Sequence, residues 1–229
     1  EKTAFVYGGK TVNNTKIPVT VVYSDDKGEN WTTCELDKIY TADYYYVKFF
    51  DSDNGVIVCG YAKSNDTNES SRIYSTSNGG ESWDIVGSGP ATNIIKGVVY
   101  VSSDVGFFCY DYVEGMDSNL YKTDDGGKTF AKVMLEEQEL DSSAANPQGQ
   151  ETETKTDSGK NGADSSEQLR WGDVYKEALT PVVDSTGIIT IYLTQGKNAV
   201  YNDGKTAAKY QSSDKGSTWK YIGQVEIKD

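Results

Sequence analysis

Histidine is absent from this 229-residue chain, and arginine occurs only at Arg72 and Arg170. The first absence removes the commonest general base and a frequent metal ligand together. The second removes any cluster of guanidinium groups able to clamp a carboxylate from several sides. Cysteine is confined to Cys34, Cys59 and Cys109, with no Cys-x-x-Cys pair, so a zinc site is not expected. Their expected role is that of small buried apolar side chains, with one disulfide left open by the sequence. No apolar run approaches the length of a membrane span. No secretory leader is visible, so a secreted protein would be represented here in processed form. Positive charge is outnumbered, with a net charge of −13; phosphate backbones are repelled, and nucleic acid is not an expected partner.

What the chain has instead is repetition. Four segments follow one template, Ser/Thr-x-Asp/Asn-x-Gly-x-polar-Trp/Phe. They are Ser24-x-Asp26-x-Gly28-x-Asn30-Trp31, Thr76-x-Asn78-x-Gly80-x-Ser82-Trp83, Thr123-x-Asp125-x-Gly127-x-Thr129-Phe130 and Ser212-x-Asp214-x-Gly216-x-Thr218-Trp219. A short strand-like run precedes each and another follows, so each reads as the turn of a hairpin. Glycine permits the positive φ such a turn needs, and the Asp or Asn carbonyl oxygen holds backbone N–H groups further on. The terminal ring buries itself beside the turn.

A second repeat alternates with the first. Val47–Val58, Val98–Phe108 and Pro181–Ile191 each read as strand, tight Asp/Gly turn, strand. The run Gly187–Leu193 is expected to be buried on both faces. Together the two repeats give a unit of four antiparallel strands, A to D, with the second repeat between A and B and the first between C and D. The fold class is therefore all-β, a β-propeller of four-stranded meander blades with four blades visible.

The template resembles the Asp-box, or BNR, repeat of sialidase-like β-propellers. The resemblance covers nearly the whole chain outside one insertion. It implies that the boxes are structural turns, remote from any catalytic site. It does not imply sialidase activity: such enzymes use an arginine triad and a Phe/Tyr-Arg-Ile-Pro signature, and neither is present. In its Asp-x-x-Gly strand turns and Gly-Gly-x-Thr/Ser-Trp boxes the chain is more similar to non-catalytic repeat propellers, those of photosystem assembly and of bacterial surface proteins.

The box rings stand 52, 47 and 89 residues apart. The long interval contains Glu136–Gln168, a stretch with nine acidic residues and two lysines and too little apolar content to fold alone. Blades are expected at about 1–40, 41–90, 91–135 and 169–229, with 136–168 as an acidic insertion. Blade 1 has room only for strands B (Thr3–Tyr7), C (Pro18–Tyr23) and D (from Thr32), so its inner strand is expected to be absent. Either the four blades close with one short member, or the chain is part of a larger propeller.

The boxes and A–B turns share one face of such a blade array, and the longer, irregular B–C and D–A loops share the other. Binding residues concentrate on irregular loops held by a rigid scaffold. The candidates there are Tyr44, Tyr46, Tyr61, Tyr112, Glu114, Trp171 and Tyr201, with Arg170 beside them, whose rings can stack on a sugar or anchor a protein partner. Tyr45 and Tyr175 are expected to point into the core. Asp51-x-Asp53-x-Gly55 begins like a calcium loop, but Ala62 stands where the closing Glu belongs, so it is assigned to the A–B turn. No metal, cofactor or catalytic residue is expected. The reading is a non-catalytic extracellular binding or scaffold propeller whose ligand is a protein or a glycan. The alternative is a glycoside hydrolase of sialidase-like fold, active only with residues outside this chain or with an unmarked carboxylate pair among Asp111, Glu114, Asp173 and Glu177.

Overall fold

The computed structural model describes residues 2–7, 11–12, 15–16, 18–36, 42–61, 71–90, 93–140, 170–196 and 201–227. Four antiparallel sheets follow one another along the chain. Blade 1 holds β1 (Thr3–Tyr7), β4 (Thr20–Ser24) and β5 (Thr32–Glu35), and the short pair β2 (Thr11–Val12) and β3 (Thr15–Lys16) lies between β1 and β4 in the chain. Blade 2 holds β6 (Tyr44–Phe49), β7 (Gly55–Gly60), β8 (Ser71–Thr76) and β9 (Asp84–Ser88). Blade 3 holds β10 (Ile95–Tyr100), β11 (Gly106–Tyr110), β12 (Leu120–Thr123) and β13 (Ala131–Lys132). Blade 4 holds β14 (Glu177–Ala178), β15 (Val182–Val183), β16 (Ile189–Thr194), β17 (Thr206–Ser212) and β18 (Lys220–Glu226). The first sheet lacks the inner strand that the other three have.

Each sheet is an up-and-down meander, so neighbours in sequence are neighbours in space and the turns alone set the order. β14 and β15 both pair with β16 and form one inner strand in two pieces. Pro181 interrupts it because proline has no N–H for the ladder; between the pieces the Leu179 N–H still donates to the Tyr192 carbonyl at 2.9 Å.

The repeated turn has one geometry in all four blades. The Ser/Thr hydroxyl donates to the Asp or Asn Oδ1 at 2.7–2.8 Å. It also accepts the N–H of the template glycine at 2.8–3.0 Å. The same Oδ1 accepts the N–H four residues on, at 2.9–3.1 Å. Two successive residues take positive φ: Lys27–Gly28, Gly79–Gly80, Gly126–Gly127 and Lys215–Gly216. That left-handed pair reverses the chain within one step, and the glycine accepts it without a Cβ penalty.

Blades stack front to back. The front of blade 1 (Val19, Val21) packs on the back of blade 2 (Ile57, Cys59, Tyr74). The front of blade 2 (Val56, Val58, Ile73) packs on the back of blade 3 (Phe108, Tyr110). The front of blade 3 (Phe107, Cys109, Leu120) packs on Ile189 and Ile191 of blade 4. Strands covered on both sides are buried at every position, as β7 and β11 are. The expected double burial of Gly187–Leu193 is not observed: Ile189 and Ile191 are buried, but Thr190 and Tyr192 are half-buried and Gly187 is exposed. The reason is positional, since no described sheet covers the front of blade 4.

The three cysteines carry no disulfide, and Cys59 and Cys109 are buried apolar side chains. Burial pushes the Cys59 thiol up to about 12 and so keeps it protonated and inert.

Candidate functional site

The long-loop side of blades 3 and 4 contains a cleft of about 460 Å³, within the range of ligand-binding clefts. One wall is the loop from β11 to β12, Tyr112–Ser118, and the other is the segment Arg170–Lys176 leading into β14. Val133–Leu135 and Glu137, which follow β13, also line it. The chain has only two methionines, and both, Met116 and Met134, line this cleft.

Both walls are held by buried polar bonds. The Asn119 side chain is buried and acts as a peptide surrogate between the blades. Its Nδ2 donates to the carbonyls of Tyr110 (2.8 Å) and Ala178 (2.9 Å), and its Oδ1 accepts the Ala178 N–H at 2.9 Å. On the opposite wall, Trp171–Val174 forms one helical turn, α1, whose ring Trp171 packs on Tyr175 (4.6 Å between centroids) and Tyr221 (5.3 Å). The Tyr210 hydroxyl donates to the Glu136 carbonyl at 2.6 Å, and Leu140 packs against the same aromatic cluster. Glu136, Glu137 and Leu140, assigned from sequence to the acidic insertion, thus adjoin the cleft, by a backbone bond, by lining it and by packing respectively; residues 141–168 of that stretch lie outside the described residues.

Charge is arranged around the rim in pairs. Lys176 Nζ donates to Glu114 Oε1 across the cleft mouth at 2.9 Å, and Arg170 Nε meets Asp173 Oδ2 at 3.3 Å. The hydrogen bond to Glu114 raises the Lys176 ammonium above its ordinary value. The Tyr112 phenol is raised too, by burial first and by the Glu114 carboxylate second. Four carboxylates line the cleft (Glu114, Asp117, Glu137 and Asp173) against two cations (Arg170 and Lys176). Asp117 is in turn paired with Lys132 at 2.7 Å, so the result is a trough of mixed polar and apolar lining with most of its charge paired.

Of the sequence-predicted candidates, Tyr112, Glu114 and Trp171 come together here, with Arg170. Trp171 contributes from a buried position, 4% exposed, and so shapes the wall instead of offering an open stacking face. The other four candidates are elsewhere. The Tyr44 and Tyr46 hydroxyls accept the N–H groups of Val98 (2.9 Å) and Tyr100 (3.1 Å), so both rings are spent joining the inner strands of blades 2 and 3. Tyr61 packs into the blade 1–2 core. Tyr201 is buried at 1% exposure, with its N–H on Gln195 Oε1 and its carbonyl on Gln195 Nε2. Tyr45 and Tyr175 face the core as expected of them. Sequence reasoning missed Met116, Met134, Asp117, Glu137 and Lys176. The one available signal was the scarcity of methionine, since a flexible thioether is a frequent choice at adaptable contact surfaces.

Among the described residues no three His, Cys, Asp or Glu side chains are grouped to hold a metal ion, and no helix is long and apolar enough to cross a membrane. No family model and no curated protein sequence matches the chain. Among solved structures it is similar to the Niastella koreensis GH74 enzyme, with 17% identity over 96% of this chain and 28% of that one, at a TM-score of 0.49. It is also similar to YCF48 bound to D1 peptide, with 15% identity over 90% of this chain and 75% of that one, at a TM-score of 0.35. The chain spans little more than a quarter of the GH74 enzyme's length. Both likenesses are weak, and the propeller architecture rests on the strand order and blade packing of the chain itself.

Proposed function

We propose that this chain is a non-catalytic binding propeller that recognises a protein segment in the cleft between blades 3 and 4. The observation that carries the reading is the placement of both methionines, Met116 and Met134, beside Tyr112 and Leu135 in one trough rimmed by ion pairs. Met134 is 63% exposed. Exposed apolar side chains of this size are suited to an apolar side chain of a partner, with the charged rim setting orientation. A glycan is the weaker candidate, because an open aromatic platform is missing: Trp171 is buried and Tyr112 is half-buried. The four turns support reading the repeats as Asp boxes of the sialidase-like kind, as in its non-catalytic members. Hydrolysis of a glycoside needs a carboxylic acid kept protonated by its surroundings. Glu114 is 73% exposed and paired with Lys176, so it is not enclosed in apolar surroundings of that kind.

The test is selection of peptides from a random displayed library on the wild-type protein. Selected peptides are expected to lose tenfold or more in affinity, about 1.4 kcal/mol, for Met134→Asp and Tyr112→Ala, both of which keep the wild-type melting temperature. Peptides that bind both variants as well as wild type assign recognition elsewhere. Binding on a glycan array, or turnover of chromogenic glycosides lost in Glu114→Gln, replaces the proposal with the carbohydrate reading.

A further inference from the structure

Counting back from the box Ser/Thr makes the four blades comparable position by position. Two residues before it on strand C stand Val22, Tyr74, Tyr121 and Tyr210, and opposite them on strand B stand Phe5, Ile57, Phe108 and Ile191. Ile57, Phe108 and Ile191 are each 0% exposed, because the preceding blade covers them. Phe5 is 58% exposed. The box rings repeat the contrast. Trp83, Phe130 and Trp219 are packed into the blade 1–2, 2–3 and 3–4 cores. Trp31 is 44% exposed and packs on Phe5, with 5.6 Å between ring centroids.

The box glycines show the same thing independently. A Cβ on Gly80 would meet the Tyr23 ring of blade 1 at 3.1 Å, one on Gly127 would meet Ile73 of blade 2 at 3.0 Å, and one on Gly216 would meet Phe107 of blade 3 at 2.5 Å. Each glycine is a seat for a side chain of the preceding blade. At Gly28 the three nearest heavy atoms that a Cβ would meet all belong to Trp31 of the same blade, at 3.5–3.9 Å, and none belongs to a preceding sheet.

We propose that the back of blade 1, formed by Phe5, Val22, Trp31 and the seat at Gly28, is a blade–blade interface whose occupant is a further blade of this repeat. The occupant presents aliphatic side chains from its strands B and C. The chemistry follows from the three interfaces already filled, where the front residue three before the box Ser/Thr is Val21, Ile73 or Leu120. A second copy of this chain does not supply that surface head to tail. The matching position in blade 4 is Lys209, and beside it Gln211 Nε2 donates to Thr190 Oγ1 at 3.1 Å. Back-to-back pairing of two copies brings together two chains of net charge −13 each, which repel. The face is independent of the cleft between blades 3 and 4.

The experiment places a copy of residues 42–90, whose front carries Val56, Val58 and Ile73, ahead of the chain through a short or a long Gly/Ser linker. Hydroxyl-radical footprinting reads the exposure of Phe5 and Trp31, alongside melting temperature. Expected is a several-fold fall in oxidation of both side chains and a higher melting temperature with at least one linker. Phe5→Asp should abolish both gains in the fusion while leaving the unfused chain's melting temperature nearly unchanged. Unaltered oxidation with both linkers overturns the proposal. So does a concentration-dependent dimer of the unfused chain that protects Phe5 and Trp31 and is dissolved by Phe5→Asp, because the occupant is then a second copy.

Discussion

At the residue scale the most informative groups are the box carboxylates, because each organises a turn through both oxygens, Oδ1 on the backbone and Oδ2 on the side chain four residues on. The Asn30 backbone N–H and side chain hold the Asp26 carboxyl down to about 2. Asp125 and Asp214 are held lower still, first by the Thr129 and Thr218 hydroxyls. A carboxyl whose folded value lies below its unfolded value of about 3.9 stabilises the fold above that value and loses the contribution as pH falls through the folded one. Stability should therefore decline between about pH 4 and pH 2. Asn78 makes the same Oδ1 bonds with no proton to gain. The triple variant Asp26→Asn, Asp125→Asn, Asp214→Asn should accordingly show a flatter decline in urea unfolding over that range; a slope equal to wild type would assign the acid sensitivity to other groups. The chemistry of these turns was legible from residue types alone, since glycine, hydroxyl and carboxylate sit at fixed offsets. Lys27 and Lys215 were not legible in the same way: nothing in a lysine announces φ of 63° or 59°.

At the element scale the inner strands are where sequence reasoning and structure part. A run such as Tyr44-Tyr45-Tyr46 looks like a stacking platform, and two of its rings were assigned to ligand. In the fold Tyr44 and Tyr46 project from β6 toward blade 3 and bond amides of β10, while Tyr45 turns to blade 1 and accepts the Ala42 N–H at 2.9 Å. Alternation of side chains along a strand was predictable; which face meets a neighbouring sheet and which meets solvent depends on the blades around it. Tyr46→Phe leaves the Tyr100 N–H without its acceptor in a part-buried position, and the expected cost is about 1–3 kcal/mol, read by denaturant unfolding. A change below a few tenths would mean that water replaces the phenol. The inner strand of blade 4 was readable in outline from Pro181–Gly187, but not its first half, because Glu177–Ala178 is too short to show periodicity.

At the scale of the whole molecule, stability comes from contacts between successive blades. Lys2 shows how few groups hold a pair. Its side chain is 7% exposed, and its Nζ donates to the carbonyls of Ser52 (3.0 Å) and Gly79 (2.7 Å) in blade 2. It also lies 4.6 Å from the ring centroids of both Tyr23 and Phe49. The pair with Asp25 is long at 3.8 Å and Asp25 is well exposed, so it adds little. Lys2→Met keeps the stem and removes the donors. The expected loss is about 2–3 kcal/mol, from charged hydrogen bonds and the orphaned carbonyls, seen as a lower denaturation midpoint with an unchanged slope. An unaltered midpoint would show that blades 1 and 2 are held by their apolar core alone.

The repeat count, the blade as unit and the three-stranded first sheet were readable from residue order, because turn chemistry and strand alternation are local and recur at regular spacing. The site was not. Tyr112 and Trp171 are 59 residues apart in the chain, and only the stacking of blade 3 on blade 4 brings them into one trough, whereas Met116 and Met134 flank the paired strands β12 and β13 of one blade. Whether an aromatic ring is wall, core or open surface was likewise set by packing. The same box ring is packed against a preceding blade in three cases and exposed at Trp31, and what separates them is the presence or absence of a neighbouring described sheet.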